Sequence, residues 1–216
     1  GLNQASVLLQ KSRTDMLMLR RNEKDFLMRS LIKYQGKFDN NFEVLKNTVG
    51  TLQTKLDQAS INLEHEFNTL NKEFTSYQKN FHELVLATTN IGLTHEQGLR
   101  GNLRKSVHIA ETAIKLEPDN LLLASMLTLR RNEKDFMLRL DEKYLTRWQD
   151  NAAIFSDNIN ESSLDSALKT QITEYLSAYQ TAFENLVSAQ KEMGLNSSSG
   201  IQGVMRTTVH KVDDLT

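Results

Sequence analysis

Met16-Leu17-Met18-Leu19-Arg20-Arg21-Asn22-Glu23-Lys24-Asp25-Phe26-Leu27-Met28-Arg29 is carried a second time, as Met126-Leu127-Thr128-Leu129-Arg130-Arg131-Asn132-Glu133-Lys134-Asp135-Phe136-Met137-Leu138-Arg139. Eleven of the fourteen positions are identical, at an offset of 110. The exceptions are Met18/Thr128 and two Leu/Met exchanges, the swap that a hydrophobic core tolerates best. A repeat of this length marks internal duplication, so the chain reads as two related halves.

The duplication extends outward from that stretch. Lys33-Tyr34 maps onto Lys143-Tyr144 at the same offset. Beyond it the offset becomes 102, and Tyr77 matches Tyr179, Phe81 matches Phe183, and Leu84-Val85 matches Leu186-Val187. Gly92-Leu93 then matches Gly194-Leu195. Gly98-x-x-Gly101-x-x-Arg104-x-x-x-His108 recurs as Gly200-x-x-Gly203-x-x-Arg206-x-x-x-His210.

Apolar spacing gives the fold class. Phe38, Phe42, Leu45, Val49, Leu52 and Leu56 alternate steps of four and three, as do Phe67, Leu70, Phe74, Tyr77, Phe81 and Leu84. Leu168, Ile172, Leu176, Tyr179, Phe183 and Leu186 form a third such stripe. These are helices packed at shallow angles in bundles. One proline and nine glycines in 216 residues agree with a nearly all-helical chain.

Breaks bound six helices, at about 2–56, 61–90, 95–116, 119–158, 162–192 and 197–215. Gly92 and Gly194 suit the position just past a helix end. Thr94 with Gln97 reads as a capping box, with Asn196 as the matching cap in the second half. Glu117-Pro118 ends a helix, Pro118 or Asp119 opens the next, and Ser162 with Asp165 starts another. The first helix would be roughly 80 Å long and the fourth roughly 60 Å. The expected architecture is all-α: two long and four short helices in two stacked four-helix bundles that share the long ones. A near module would hold about 1–30 with 140–216, and a far module about 31–139. Both termini would lie at one end, and the chain reads as a segment of something longer.

Composition narrows the function classes. Twenty-six basic and 27 acidic residues leave a net charge of −1, which gives no electrostatic case for nucleic-acid or membrane-surface binding. There is no cysteine, hence no thiolate chemistry and no disulfide framework. No apolar run approaches a membrane span of ~18–20 residues. None of the five histidines follows a glutamate by three residues, so no di-iron Glu-x-x-His pair exists. The glycines do not build a nucleotide loop. No catalytic residue, metal or cofactor is expected.

The repeated arginines are the candidates for binding. Arg20-Arg21 and Arg130-Arg131 border the apolar seam, with Arg20 and Glu23 at its edge and Arg21 and Lys24 further out. Arg13 lies on Arg20's stripe, but its repeat counterpart is Leu123. In the stacked arrangement Arg20 or Arg21 would face Arg206, and Arg130 or Arg131 would face Arg104. Arginines so gathered repel one another unless an anion lies between them, and a guanidinium fork matches a carboxylate bidentately. Salt-bridge ladders on a solvated flank are the competing explanation for the arginines, and close helix packing for the glycines.

Leu-Arg-Arg-Asn-Glu-Lys-Asp-Phe at 19–26 and 129–136, in duplicated halves, resembles the helical bimodular sensor domain. That family is the periplasmic ligand-binding region of bacterial methyl-accepting chemotaxis receptors and of some sensor kinases. The resemblance spans essentially the whole chain. It implies a homodimer, anchored in the inner membrane by the full-length protein, with sites for small organic acids such as dicarboxylates or acetate within the bundles; amines also occur among the family's ligands. Ligand contacts are expected from Arg13, Arg20, Arg21, Arg206 and Thr207 in the near module and from Arg104, Arg130 and Arg131 in the far one. Signalling would proceed by helix displacement. The alternatives are the input domain of a sensor histidine kinase and a helical scaffold that recruits a partner protein.

Overall fold

The structure, a computed structural model, describes residues 2–117 and 119–215. Pro118, one of the expected helix starts, lies outside them. Among the described residues every regular element is an α-helix: α1 Leu2–Arg29, α2 Lys33–Gln58, α3 Glu64–Ile91, α4 Gly98–Lys115, α5 Asn120–Arg139, α6 Lys143–Glu161, α7 Ser166–Met193 and α8 Gly200–Leu215. None is long and apolar enough to cross a membrane.

The six-helix arrangement is therefore corrected to eight helices, because neither long helix is continuous. Each is cut at equivalent places. Ser30 and Leu140 adopt left-handed backbone angles, φ 52 and φ 50. Their amides turn back to the carbonyls of Phe26 and Phe136, each at 2.7 Å. That single bond is a left-handed helix terminus made without glycine.

The chain then reverses. Asn41 Nδ2 donates to Asn22 Oδ1 at 2.8 Å, and Asn151 Nδ2 donates to Asn132 Oδ1 at 2.8 Å. Thr48 Oγ1 meets Asp15 in the first hairpin, and Asn158 meets Ser125 in the second. As the residue numbers rise along one helix they fall along its partner, so α1–α2 and α5–α6 are antiparallel hairpins. The asparagine pairs fix their register: Asn22 and Asn132 are buried, and each amide's partner is the other.

The helix starts also shift. Asp119 caps α5, accepting from the amides of Leu121 and Leu122. Asp165, not Ser162, caps α7 by accepting from Leu168 N at 2.8 Å. The Thr94–Gln97 capping box does not form, because α4 begins only at Gly98 and Gln97 makes no side-chain cap bond. Thr94 Oγ1 instead accepts from Glu96 N within the loop. Likewise α8 begins at Gly200, past Asn196.

Two compact units result. The first is Gly1–Thr88 with Ser197–Thr216, and the second is Thr89–Asn196. The expected modules divided the chain near 30 and 140. The reversals instead keep α2 on α1 and α6 on α5, so the division falls at 88 and 196. Each unit takes three helices from one sequence repeat and its fourth from the other. Unit 1 joins α8 to α1–α3, and unit 2 joins α4 to α5–α7. In unit 2 the helices form a ring in which α4 lies against α5 and α7, and α6 lies against the same two.

Equivalent aromatics fill both cores. Phe26 meets Phe81 edge-on at 5.8 Å, and Phe136 meets Phe183 edge-on at 5.8 Å. Phe38 stacks on Phe81 at 4.1 Å, while its counterpart Trp148 tilts against Phe183 at 5.4 Å. All six rings are fully buried.

The reversal is testable through Ser30. A residue held at positive φ is relieved by glycine, whereas glycine inside a continuous helix is destabilising. Ser30→Gly should therefore stabilise unit 1 by about 0.5–1 kcal/mol in chemical denaturation. A loss of similar size would indicate an uninterrupted helix.

Candidate functional site

A polar group sits beside the buried face of α1. Glu23 is one turn before Phe26, and in α3 Tyr77 lies on the apolar stripe between Phe74 and Phe81. The Tyr77 hydroxyl donates to Glu23 Oε2 at 3.2 Å. Unit 2 repeats this, with Tyr179 donating to Glu133 Oε1 at 2.6 Å. Burial pushes both glutamates above the usual carboxylate range. The tyrosine hydrogen bond and the neighbouring charges, Arg20 and Lys24 or Arg130 and Lys134, pull the other way without cancelling it. Glu111 adds to the rise at Glu133. Burial, followed by the glutamate's charge, drives both tyrosines far above their ordinary value, so they remain protonated donors.

A cavity opens beside each pair. In unit 1 it has a volume of about 380 Å³ and is lined by Arg20, Glu23 and Leu27 of α1 with Arg206, Val209 and His210 of α8. In unit 2 it has about 440 Å³, lined by Arg130, Glu133 and Met137 of α5 with Arg104, Val107 and His108 of α4. Those six positions correspond one to one through the two repeat offsets. Arg20 and Arg206 thus share one cavity, and Arg130 and Arg104 share another.

The remaining candidates fall elsewhere. Arg13 lines a neighbouring space of about 310 Å³ in unit 1 together with Arg20, Met16, Phe74 and Asp213. Arg21 and Arg131 are exposed and line neither arginine cavity, because they follow Arg20 and Arg130 by about 100° of helix turn. Thr207 is not brought to the site either. It is exposed, and its hydroxyl donates to Gly203 O at 3.1 Å on its own helix.

The glycines do not admit a ligand. A Cβ on Gly101 would come within 2.4 Å of Glu96 O, and one on Gly203 within 2.6 Å of Ser198 O. They let the preceding loop fold over the start of α4 and α8. This places loop side chains beside the arginines: Arg206 Nη1 donates to Ser198 Oγ at 2.9 Å, and Arg104 Nη1 lies 3.6 Å from Glu96 Oε1.

The two cavities differ in charge. Arg130 Nη1 meets Glu111 Oε2 at 3.0 Å, and its Nε lies 3.7 Å from Glu133 Oε1, too far for a hydrogen bond. That buried Nε has no hydrogen-bond acceptor. In unit 1 the counterpart of Glu111 is Asp213, which lines the neighbouring space with Arg13. Among the described residues Arg20 has no carboxylate within ion-pair distance.

The sequence reading did not assign Glu23, Glu133, Tyr77, Tyr179 or Glu111 to a site. The first four carried a signal, since they recur unchanged in both repeats and put polar groups on an apolar face. Glu111 carried none, because its counterpart is Asp213. Compared with protein-family models, curated proteins and solved structures, the chain finds no match.

The raised glutamates give stability a pH dependence. The protonated form is favoured in the folded state, so its contribution is fully present below the ordinary value of 4.5 and is lost as pH rises through the raised one. Glu133→Gln keeps an acceptor for Tyr179 but cannot ionise. The stability of Glu133→Gln relative to the parent should therefore increase from pH 4 to pH 7 in denaturant titrations. A gap that is flat or shrinks over this range would show that the Glu133 carboxyl is not raised.

Proposed function

We propose that this chain is the ligand-binding sensor region of a bacterial chemoreceptor and that it binds small organic acids without transforming them. The observation that carries the reading is the pairing of arginines across helices. Arg20 with Arg206, and Arg130 with Arg104, line one cavity in each unit. Two guanidinium groups on one cavity repel unless a carboxylate lies beside them; in unit 2 Glu111 already meets Arg130, whereas the unit 1 pair calls for an anion from outside. A planar fork on each side suits carboxylates, in line with the resemblance carried by the duplicated arginine stretch.

In this reading the protein works in the periplasm as a homodimer, and its membrane anchor lies outside these residues. The signal arises between α1 and α8. Arg20 belongs to one helix and Arg206 to the other, so an anion held by both favours the arrangement in which these helices lie closest. A coupling of ~1–3 kcal/mol is enough to shift such an equilibrium.

A thermal-shift panel of small mono-, di- and tricarboxylates tests the reading directly, since a chain that binds none of them should not be stabilised by any. Calorimetry then localises the site. Arg206→Ala should weaken acid binding in unit 1 by about 1.5–3 kcal/mol, the scale of a charged hydrogen bond. Arg206→Lys should fail to restore it, because an ammonium lacks the fork. Arg104→Ala should leave unit 1 binding intact. Parental affinity in Arg206→Ala would remove that residue from the site.

A further inference from the structure

The cavity in unit 2 is already occupied, in the electrostatic sense, by the protein's own carboxylate. Glu111 Oε2 lies 3.0 Å from Arg130 Nη1, where an incoming acid would otherwise dock. Glu111 and Glu133 are only 17% and 13% exposed, and Arg130 is 25% exposed. A simple acid entering here must displace Glu111. It then leaves that carboxylate unpaired, shielded from water and next to the acid's own negative charge, which is the costly half of a broken buried ion pair.

Unit 1 does not present this obstacle, because among the described residues Glu23 is the one carboxylate lining its arginine cavity. We infer that Glu111 makes the unit 2 cavity a site for a zwitterionic amino acid rather than for a simple carboxylate. This rests on the sensor reading above and assigns a ligand class to one of its two cavities. An α-amino acid carries a carboxylate and an ammonium a few ångströms apart. Its carboxylate joins Arg130 and Arg104, and its ammonium takes the Glu111 carboxylate that has been displaced, so every charge keeps a partner. The Arg130 Nε, buried without an acceptor, is an additional donor facing Glu133 on the same side of the cavity.

Trp148 is the chain's single tryptophan. It packs edge-on against Tyr179 at 5.0 Å, and Tyr179 holds Glu133. Its fluorescence therefore reports on unit 2, while Phe38 occupies the equivalent place in unit 1. L-alanine and propionate share a carbon skeleton and differ by the ammonium. In the parent protein L-alanine should change Trp148 emission saturably, and propionate should bind on the order of tenfold more weakly or not at all.

Glu111→Gln removes the charge and keeps the shape. It should reverse that order, so that propionate binds at least about tenfold tighter than in the parent and L-alanine more weakly. Arg104→Ala should weaken both. Circular dichroism melts check that each variant is folded. An unchanged preference in Glu111→Gln, a parent that prefers propionate, or no response to either probe in both proteins would each overturn the inference. Acid binding that is lost in Arg206→Ala, read by calorimetry in the same preparations, reports unit 1 separately. If it persists while the unit 2 reversal fails, only this inference falls.

Discussion

Where the Ser30 and Leu140 amides turn back to the carbonyls of Phe26 and Phe136, the chain stops climbing and folds onto itself. The left-handed conformation costs a non-glycine residue about 1–2 kcal/mol. It is offset by what the reversal brings together: the Phe38-to-Leu52 stripe of α2, and the Tyr144-to-Ile159 stripe of α6, buried against the helix just left. The asparagine pairs then hold the hairpins in one register. A slip would leave a buried amide without a partner, at a cost of roughly 1–3 kcal/mol. Unit boundaries, core pairings and cavity linings all follow from that reversal.

The exchange of fourth helices determines how each site is built. α4 belongs to the first sequence repeat but packs on α5 and α7, and α8 belongs to the second but falls in one unit with α1–α3. Each arginine cavity is therefore lined from both repeats, and neither half of the sequence contains a whole site.

Within that shared plan, one methylene separates the two cavities electrostatically. Glu111 reaches Arg130, whereas its shorter counterpart Asp213 lines the neighbouring space with Arg13. Arg130 is neutralised by the chain itself, and Arg20 remains available as a cation on a cavity wall. Beside each arginine the Tyr–Glu pair adds a largely buried carboxyl group held by the tyrosine hydroxyl, so the cavity wall stays polar next to the aromatic core.

The sequence alone determined the helical class and the duplication, and from them came the expectation that Arg20 or Arg21 would face Arg206 and Arg130 or Arg131 would face Arg104. Apolar periodicity and exact repetition are properties of the chain itself. It did not disclose the reversals. Serine and leucine carry no turn signature, and the apolar pattern from Phe26 to Phe38 is compatible with one unbroken helix. Only packing decided that left-handed residues there were affordable, because the buried area gained by folding back exceeds the local strain. Tertiary structure also decided which arginine of each pair faces the cavity, why Gly101 and Gly203 must lack a side chain, and that Glu111 lies on Arg130. Those outcomes depend on distances between helices far apart in sequence, and no local pattern encodes them.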